Sequence, residues 1–291
     1  MKEFNIVVLA KQVPDTRNVG KDAMKADGTV NRGALPAIFN PEDLNALEQA
    51  LRIKEKYPGA TITILTMGPG RAAEIIREGL YRGADRGYLL TDRKFAGSDT
   101  LATSYALSLG IKKLQPVDVI IAGRQAIDGD TAQVGPQVAE KLNLPQVTYA
   151  EEILSLDKGK VRIKRRLERG VETVESPMPL VITVHSSAPP CRSRNAKLFM
   201  KYKYAKSVTE LQDMSEDYLQ LQKDRPYLII EELGASGISA GVENLGLSGS
   251  PTKVRKIENV VFKAKESKVL SANDEDINGL ITELLDNHTI G

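Results

Sequence analysis

Cysteine occurs once in this 291-residue chain, at Cys191, and histidine only twice, at His185 and His288. A single thiol excludes an intramolecular disulfide and fits a reducing cytoplasm. The two histidines lie far apart without thiolate company, so no zinc-site spacing is present. Charge of one sign is lacking too. Forty Lys and Arg against 38 Asp and Glu leave +2, which gives no footing to a nucleic-acid binder. No apolar run approaches the roughly 20 residues that a membrane span needs. The opening MKEFNIVVLAKQVPD has too short an apolar stretch for a signal peptide and suits a first strand instead. Several familiar motifs are missing. No G-x-G-x-x-G follows a strand, and there is no G-x-x-x-x-G-K-[ST], no S-G-G-x-D-S and no nucleophile elbow. These absences argue against an ordinary dinucleotide site, a nucleoside-triphosphate loop, an ATP-pyrophosphatase and a serine hydrolase.

What is present is a soluble-protein composition, 41% hydrophobic and 27% charged, long enough for one large core or a core with an appendage. Short apolar runs alternate with helical periodicity. Strands are expected at 5–10, 60–66, 86–90 and 117–122, and helices from Pro41, over 71–82, over 99–114 and after residue 130. That β-α-β-α-β-α-β-α rhythm predicts an α/β fold with a doubly wound, mostly parallel sheet. Asn40-Pro41-Glu42-Asp43 starts the first helix with an Asn cap, Pro in the first turn and acids beside it. Leu44, Leu47 and Leu51 form its buried stripe. The irregular stretch before it suggests a small hairpin at Asp27-Gly28. From Gln146 the pattern becomes a meander of antiparallel hairpins, and 180–184 reads as a core strand. A helix is expected over 207–222, a short strand over 226–231 and an amphipathic helix over 274–287. The division expected is an α/β domain over 1–225 and a carboxyl-terminal arm over 226–291.

The strand at 117–122 leads into a tight turn at Gly123, a polar loop and a helix. A loop leaving the carboxyl end of a parallel strand and opening a helix is where open α/β sheets bind ligands. Its backbone amides favour phosphate. Asp128, Asp130 and Thr131 are each good caps for the following helix, and Pro136 belongs in its first turn. Carboxylates repel phosphate, so Asp128 and Asp130 suit capping or sugar hydroxyls better. The turns at 10–13, 66–68 and 123–136 should converge on one sheet edge. On the residues alone, Asn40 is a plain helix cap, Arg124 is as readily solvated as ligand-binding, and Cys191 is an inert loop thiol.

The run AGRQAIDGDTAQVGP, Ala122 to Pro136, resembles the signature loop of the small (β) subunit of electron-transfer flavoproteins. The likeness covers most of the chain to about Pro190. It implies an adenine-nucleotide site lined by Ala10, Lys11, Asn40, Asp43, Leu44, Thr66, Gly68, Gly123, Arg124, Gln125, Ala126, Asp128, Gly129, Asp130, Thr131, Gln133, Val134, Gly135 and Pro136. Housekeeping members hold AMP there, and electron-bifurcating members hold FAD. The form D-G-D-T-A-Q-V-G-P, with small residues at Gly129 and Ala132, is similar to the bifurcating version, as is Leu245-Gly246-Leu247-Ser248-Gly249-Ser250-Pro251-Thr252-Lys253-Val254. The resemblance implies a large (α) subunit as partner, embraced by the arm. It implies NADH as donor, ferredoxin or flavodoxin as one acceptor, and an acyl-CoA dehydrogenase as the other. The docking stretch after Pro190 departs from the family pattern, although Met200-Lys201-Tyr202-Lys203 survives. Two other readings stay open: an AMP-holding electron shuttle, and a nucleotide-binding regulatory module without a redox role.

Overall fold

The computed structural model describes residues 4–15, 36–157, 159–212, 214–252, 267 and 269–290. They fall in two compact units, 1–255 and 256–291. The hairpin expected at Asp27-Gly28 lies outside the described residues.

The first unit is an α/β fold on a ten-stranded sheet. Its parallel part contains β1 (Asn5–Leu9), β4 (Thr61–Met67), β5 (Arg86–Leu90), β6 (Val119–Gly123) and β10 (Leu180–Val184). β11 (Lys206–Ser207) and β12 (Ile229–Leu233) extend it beyond β5. On the other side β7 (Gln146–Asp157) pairs parallel with β10 and antiparallel with β8 (Lys160–Leu167), which pairs antiparallel with β9 (Gly170–Pro177). The full order is β11-β12-β5-β4-β1-β6-β10-β7-β8-β9. A two-stranded ribbon, β2 (Gln12–Pro14) with β3 (Ala37–Phe39), stands apart from it.

Alternating side chains feed two cores. Ile6, Val8, Ile62, Ile64, Val119 and Ile121 pack under α1 (Pro41–Lys56) and α2 (Ala73–Arg82). Val7, Leu9, Leu65, Ile120 and Val181 pack under α3 (Thr100–Lys113) and α4 (Val134–Leu142). Each such side chain, once buried, contributes about 1.5–3 kcal/mol. Continuous apolar strands are therefore what a sheet covered on both faces requires.

Two local expectations are corrected. The helix expected over 207–222 is two shorter ones, α6 (Val208–Leu211) and α7 (Glu216–Asp224), and the chain passes from α5 (Ala196–Tyr202) into α6 through β11. Ser207 closes a capping box with Glu210, and Ser215 precedes the second start, so each N-terminal signal opens its own helix. The strand expected at 226–231 begins only at Ile229, because Pro226–Leu228 form a single 3-10 turn. Within residues 226–252, β12 pairs with β5 and Leu245 sits in the second core.

The second unit contains α8 (Asp274–Asp286), capped by the Asn273 side chain, with Ile277, Leu280, Ile281 and Leu285 exposed. No helix among the described residues is long and apolar enough to cross a membrane.

Candidate functional site

β1 continues through α1 to β4 on one side, whereas β6 arrives through α3 on its other side. Strand order reverses between β1 and β6, and a crevice opens outside their carboxyl ends. There lies a cavity of about 400 Å³, within the range of small-molecule sites.

The β2–β3 ribbon folds the start of α1 into this crevice, and the Asn40 amide donates to the Lys11 carbonyl at 3.0 Å. The first turn of α1 then organises the loop. Asp43 accepts the Lys11 amide at 2.8 Å on one oxygen and the Gly123 amide at 3.0 Å on the other. Burial pushes the Asp43 carboxyl up to about 7, against the downward pull of those amides and of the Lys11 charge. Glu42 receives the Gln125 amide at 3.0 Å and the Arg124 guanidinium at 3.1 Å. The Asn40 side chain makes no capping bond. Its amide donates to the Gln125 carbonyl at 2.8 Å, and its oxygen accepts the Ile127 amide at 3.2 Å. Asn40 is thus a brace for the loop and not a side-chain cap, because the loop's own amides compete for it.

The expected capping of α4 is likewise corrected. Its cap position is Gln133, with no side-chain bond. Asp128 pairs instead with the Lys11 ammonium at 2.6 Å, and Asp130 accepts the Gln125 side chain at 2.7 Å. Asp130 and Ala132 adopt left-handed backbone, with φ 49° and 53°, which delays the helix to Val134. Among the described residues, the amides of residues 131–135 donate to no acceptor. A left-handed residue followed by right-handed ones gathers such amides into an anion-binding nest.

Thirteen of the residues expected in the site line this cavity: Ala10, Lys11, Asp43, Gly123, Arg124, Gln125, Ala126, Gly129, Asp130, Thr131, Gln133, Val134 and Gly135. Six stand behind it. Asn40 and Asp128 tie the loop as described, while Leu44 packs against the first core. Thr66 is fully buried, and its hydroxyl has no partner among the described residues. The Gly68 amide donates to the Leu90 carbonyl at 3.0 Å, and Pro136 is the third residue of α4.

Sequence reasoning missed the opposite wall. Phe95, Gly97, Ser98 and Asp99 come from the β5–α3 connection, a fourth loop at the same carboxyl edge, and Thr100 and Thr103 from the first turn of α3. A signal for it exists in the start of the helix expected at 99–114, since Asp99 caps α3 by accepting the Leu101 and Ala102 amides. The Thr100 hydroxyl reaches the Gln133 side-chain oxygen at 2.9 Å, joining this wall to the loop.

The donor set suits an anionic ligand with flat, partly apolar rings. The free amides and the α4 terminus take phosphate charge. Leu9, Leu65, Met67, Phe95 and Leu107 supply apolar surface. A Cβ at Gly129 would meet nothing within 4 Å, so the loop leaves space beside itself. A nucleotide cofactor fits these residues.

Fold and site together define a doubly wound α/β protein with a nucleotide-sized crevice at the β1/β6 switch. The electron transfer flavoprotein domain family matches residues 27–209. A Clostridium acetobutylicum electron transfer flavoprotein subunit beta is 40% identical over 287 residues, covering 99% of this chain and all of its own. The caffeyl-CoA reductase-Etf complex subunit CarD of Acetobacterium woodii is 40% identical over 288 residues, again 99% and 100%. An acryloyl-CoA reductase electron transfer subunit gamma of Anaerotignum propionicum is 41% identical over 290 residues, 99% and 100%. The chain belongs to the electron transfer flavoprotein family, as a beta-type subunit.

Proposed function

We propose that this chain is the FAD-holding small subunit of a bifurcating, heterodimeric electron transfer flavoprotein in the cytoplasm. The large (α) subunit would carry the other FAD and receive the carboxyl-terminal arm. Two relatives whose names place them with caffeyl-CoA and acryloyl-CoA reductases support an acyl-CoA dehydrogenase or reductase as one partner. The observation that carries the FAD reading is the open space at Gly129 beside a 400 Å³ cavity with five amides that have no acceptor among the described residues. Bound FAD would supply the chemistry that accepts hydride from NADH and splits its electrons between ferredoxin or flavodoxin and, through the large-subunit FAD, the dehydrogenase. The chain's own residues bind and orient. The amides of residues 131–135 take the pyrophosphate, Lys11 and Arg124 add positive charge, and the loop, braced by Asn40, Glu42 and Asp43, keeps its shape.

The test is to co-express the chain with its large subunit and count the nucleotides released on denaturation. Two FAD per heterodimer and no AMP is the expected result. One FAD with one AMP would replace this reading with the non-bifurcating shuttle.

A further inference from the structure

Tyr149 is a strained aromatic near the cavity, outside the loops that hold the ligand. It lies inside β7 with φ 59°, in the left-handed region, where a bulky side chain is a strained outlier. The cause is visible in the pairing. Between Ile182 and Val184 of β10 one residue intervenes, whereas between their partners Val147 and Ala150 of β7 there are two. The extra residue is a bulge, and bulges re-aim side chains. Here the ring is turned out to 39% exposure.

Arg124 and His185 flank the re-aimed ring. The Arg124 guanidinium carbon lies 5.6 Å from its centroid, and the His185 ring stacks with it at 5.6 Å and 23°. Both neighbours are fixed from behind. Glu42 holds Arg124. The His185 amide donates to the Ala150 carbonyl at 2.9 Å, and its Nδ1 is 2.9 Å from the Ser187 hydroxyl, which donates to Glu151 at 2.6 Å. Of these residues only Arg124 lines the cavity. Strain kept at such a place needs a use.

We propose that Tyr149 is a positioning residue for Arg124: the bulge turns its ring against the guanidinium and holds that charge at the cavity mouth for an anionic nucleotide, with His185 backing the ring. This rests on the adenine-nucleotide reading of the cavity. Glu42 fixes the guanidinium through its hydrogen bonds, and the ring limits its swing out of that plane. A cation over an aromatic face is attracted to it even at a partly exposed site. The ring therefore acts on the ligand only through Arg124.

The test uses the full chain co-purified with its large subunit and freed of nucleotide by dialysis, with ADP as the calorimetric probe. Tyr149→Asn removes the ring and keeps a residue that tolerates left-handed backbone, so the fold is retained. Tyr149→Phe keeps the ring. The expected result is a two- to fivefold weaker Kd for Tyr149→Asn with an unchanged or raised Tm, and a smaller loss for Tyr149→Phe, which keeps the ring and drops only the hydroxyl that faces Arg124. In an Arg124→Gln background, Tyr149→Asn adds no further loss. Equal affinities for wild type and Tyr149→Asn, or a full further loss in the Arg124→Gln background, would overturn the proposal. Failure of ADP to bind the wild-type complex would instead overturn the nucleotide reading on which it rests.

Discussion

The Gly123 amide donates to Asp43 at 3.0 Å, and a Cβ on Gly123 would stand 2.4 Å from the same carboxylate oxygen. The hydrogen bond and the missing side chain are one feature, since α1 can reach the end of β6 only where no Cβ intervenes. Such a Cβ would also meet the Asp43 amide nitrogen and the Glu42 carbonyl carbon at 2.7 Å. Two of these three atoms are backbone and cannot swing aside. Gly123→Ala is therefore expected to cost about 3 kcal/mol, at the upper end for overpacking. Urea unfolding checks it, and a loss below about 1 kcal/mol would mean that α1 is free to retreat.

Asp43 links this contact to pH. Its carboxyl rises from the ordinary aspartate range to about 7 in the folded chain. The folded state therefore keeps a proton that the unfolded state releases near pH 4. Stability from this group is complete below that value and is lost as pH rises through 7. Asp43→Asn removes the titration and turns an NH₂ toward one of the two amides, at a cost of about 1–3 kcal/mol. The wild type should lose stability relative to this variant between pH 4.5 and 7.5 and run parallel to it above. Parallel curves throughout would show that the carboxyl titrates as an ordinary one.

How far the site was legible follows from the same residues. Apolar runs such as Val119–Gly123 and Leu180–Val184 announced buried parallel strands, because a sheet covered on both faces leaves no polar alternation to misread. The loop's shape was less accessible. Asn40 carries a clear local cap signal, followed by Pro and two acids, yet its side chain serves Gln125 and Ile127, which only the fold brings near. The left-handed turns at Asp130 and Ala132 carry no glycine to mark them, so local signals place the start of α4 too early. The β5–α3 wall escaped because its part in the cavity depends on strand order, and strand order is not a local property.

Lys11 and Asp128 clasp the loop to the end of β1 at 2.6 Å, with the lysine side chain half exposed. An exposed pair of this type is worth little in stability, about 0–1 kcal/mol. Lys11→Met should thus leave the unfolding midpoint nearly unchanged. Nucleotide affinity should fall several-fold, and the gap from wild type should narrow as salt is raised, since the lost term is a screened charge. Calorimetric titration at two ionic strengths measures both. A large stability loss with unaltered affinity would make the pair purely structural.

The far wall of the cavity depends on a strap after β12. The Ser250 hydroxyl accepts the Asp99 amide at 2.8 Å and donates to the Gly246 carbonyl at 2.6 Å. The Thr252 amide donates to the Asp99 carboxylate at 3.0 Å. Leu247 lies over Gly97, where an added Cβ would meet its side chain at 2.7 Å. Ser250 is almost wholly buried, so Ser250→Ala leaves the Asp99 amide without its acceptor, a loss of about 1–3 kcal/mol. That loss should be local, because Asp99 still caps α3 through the Leu101 and Ala102 amides. Hydrogen exchange should quicken at 97–100 and 244–252 and stay slow in β1, β4 and β6. Nucleotide affinity should fall too, since Gly97, Ser98, Asp99 and Thr100 line the cavity. Uniformly faster exchange across the sheet would show that the strap supports the whole fold and not one wall.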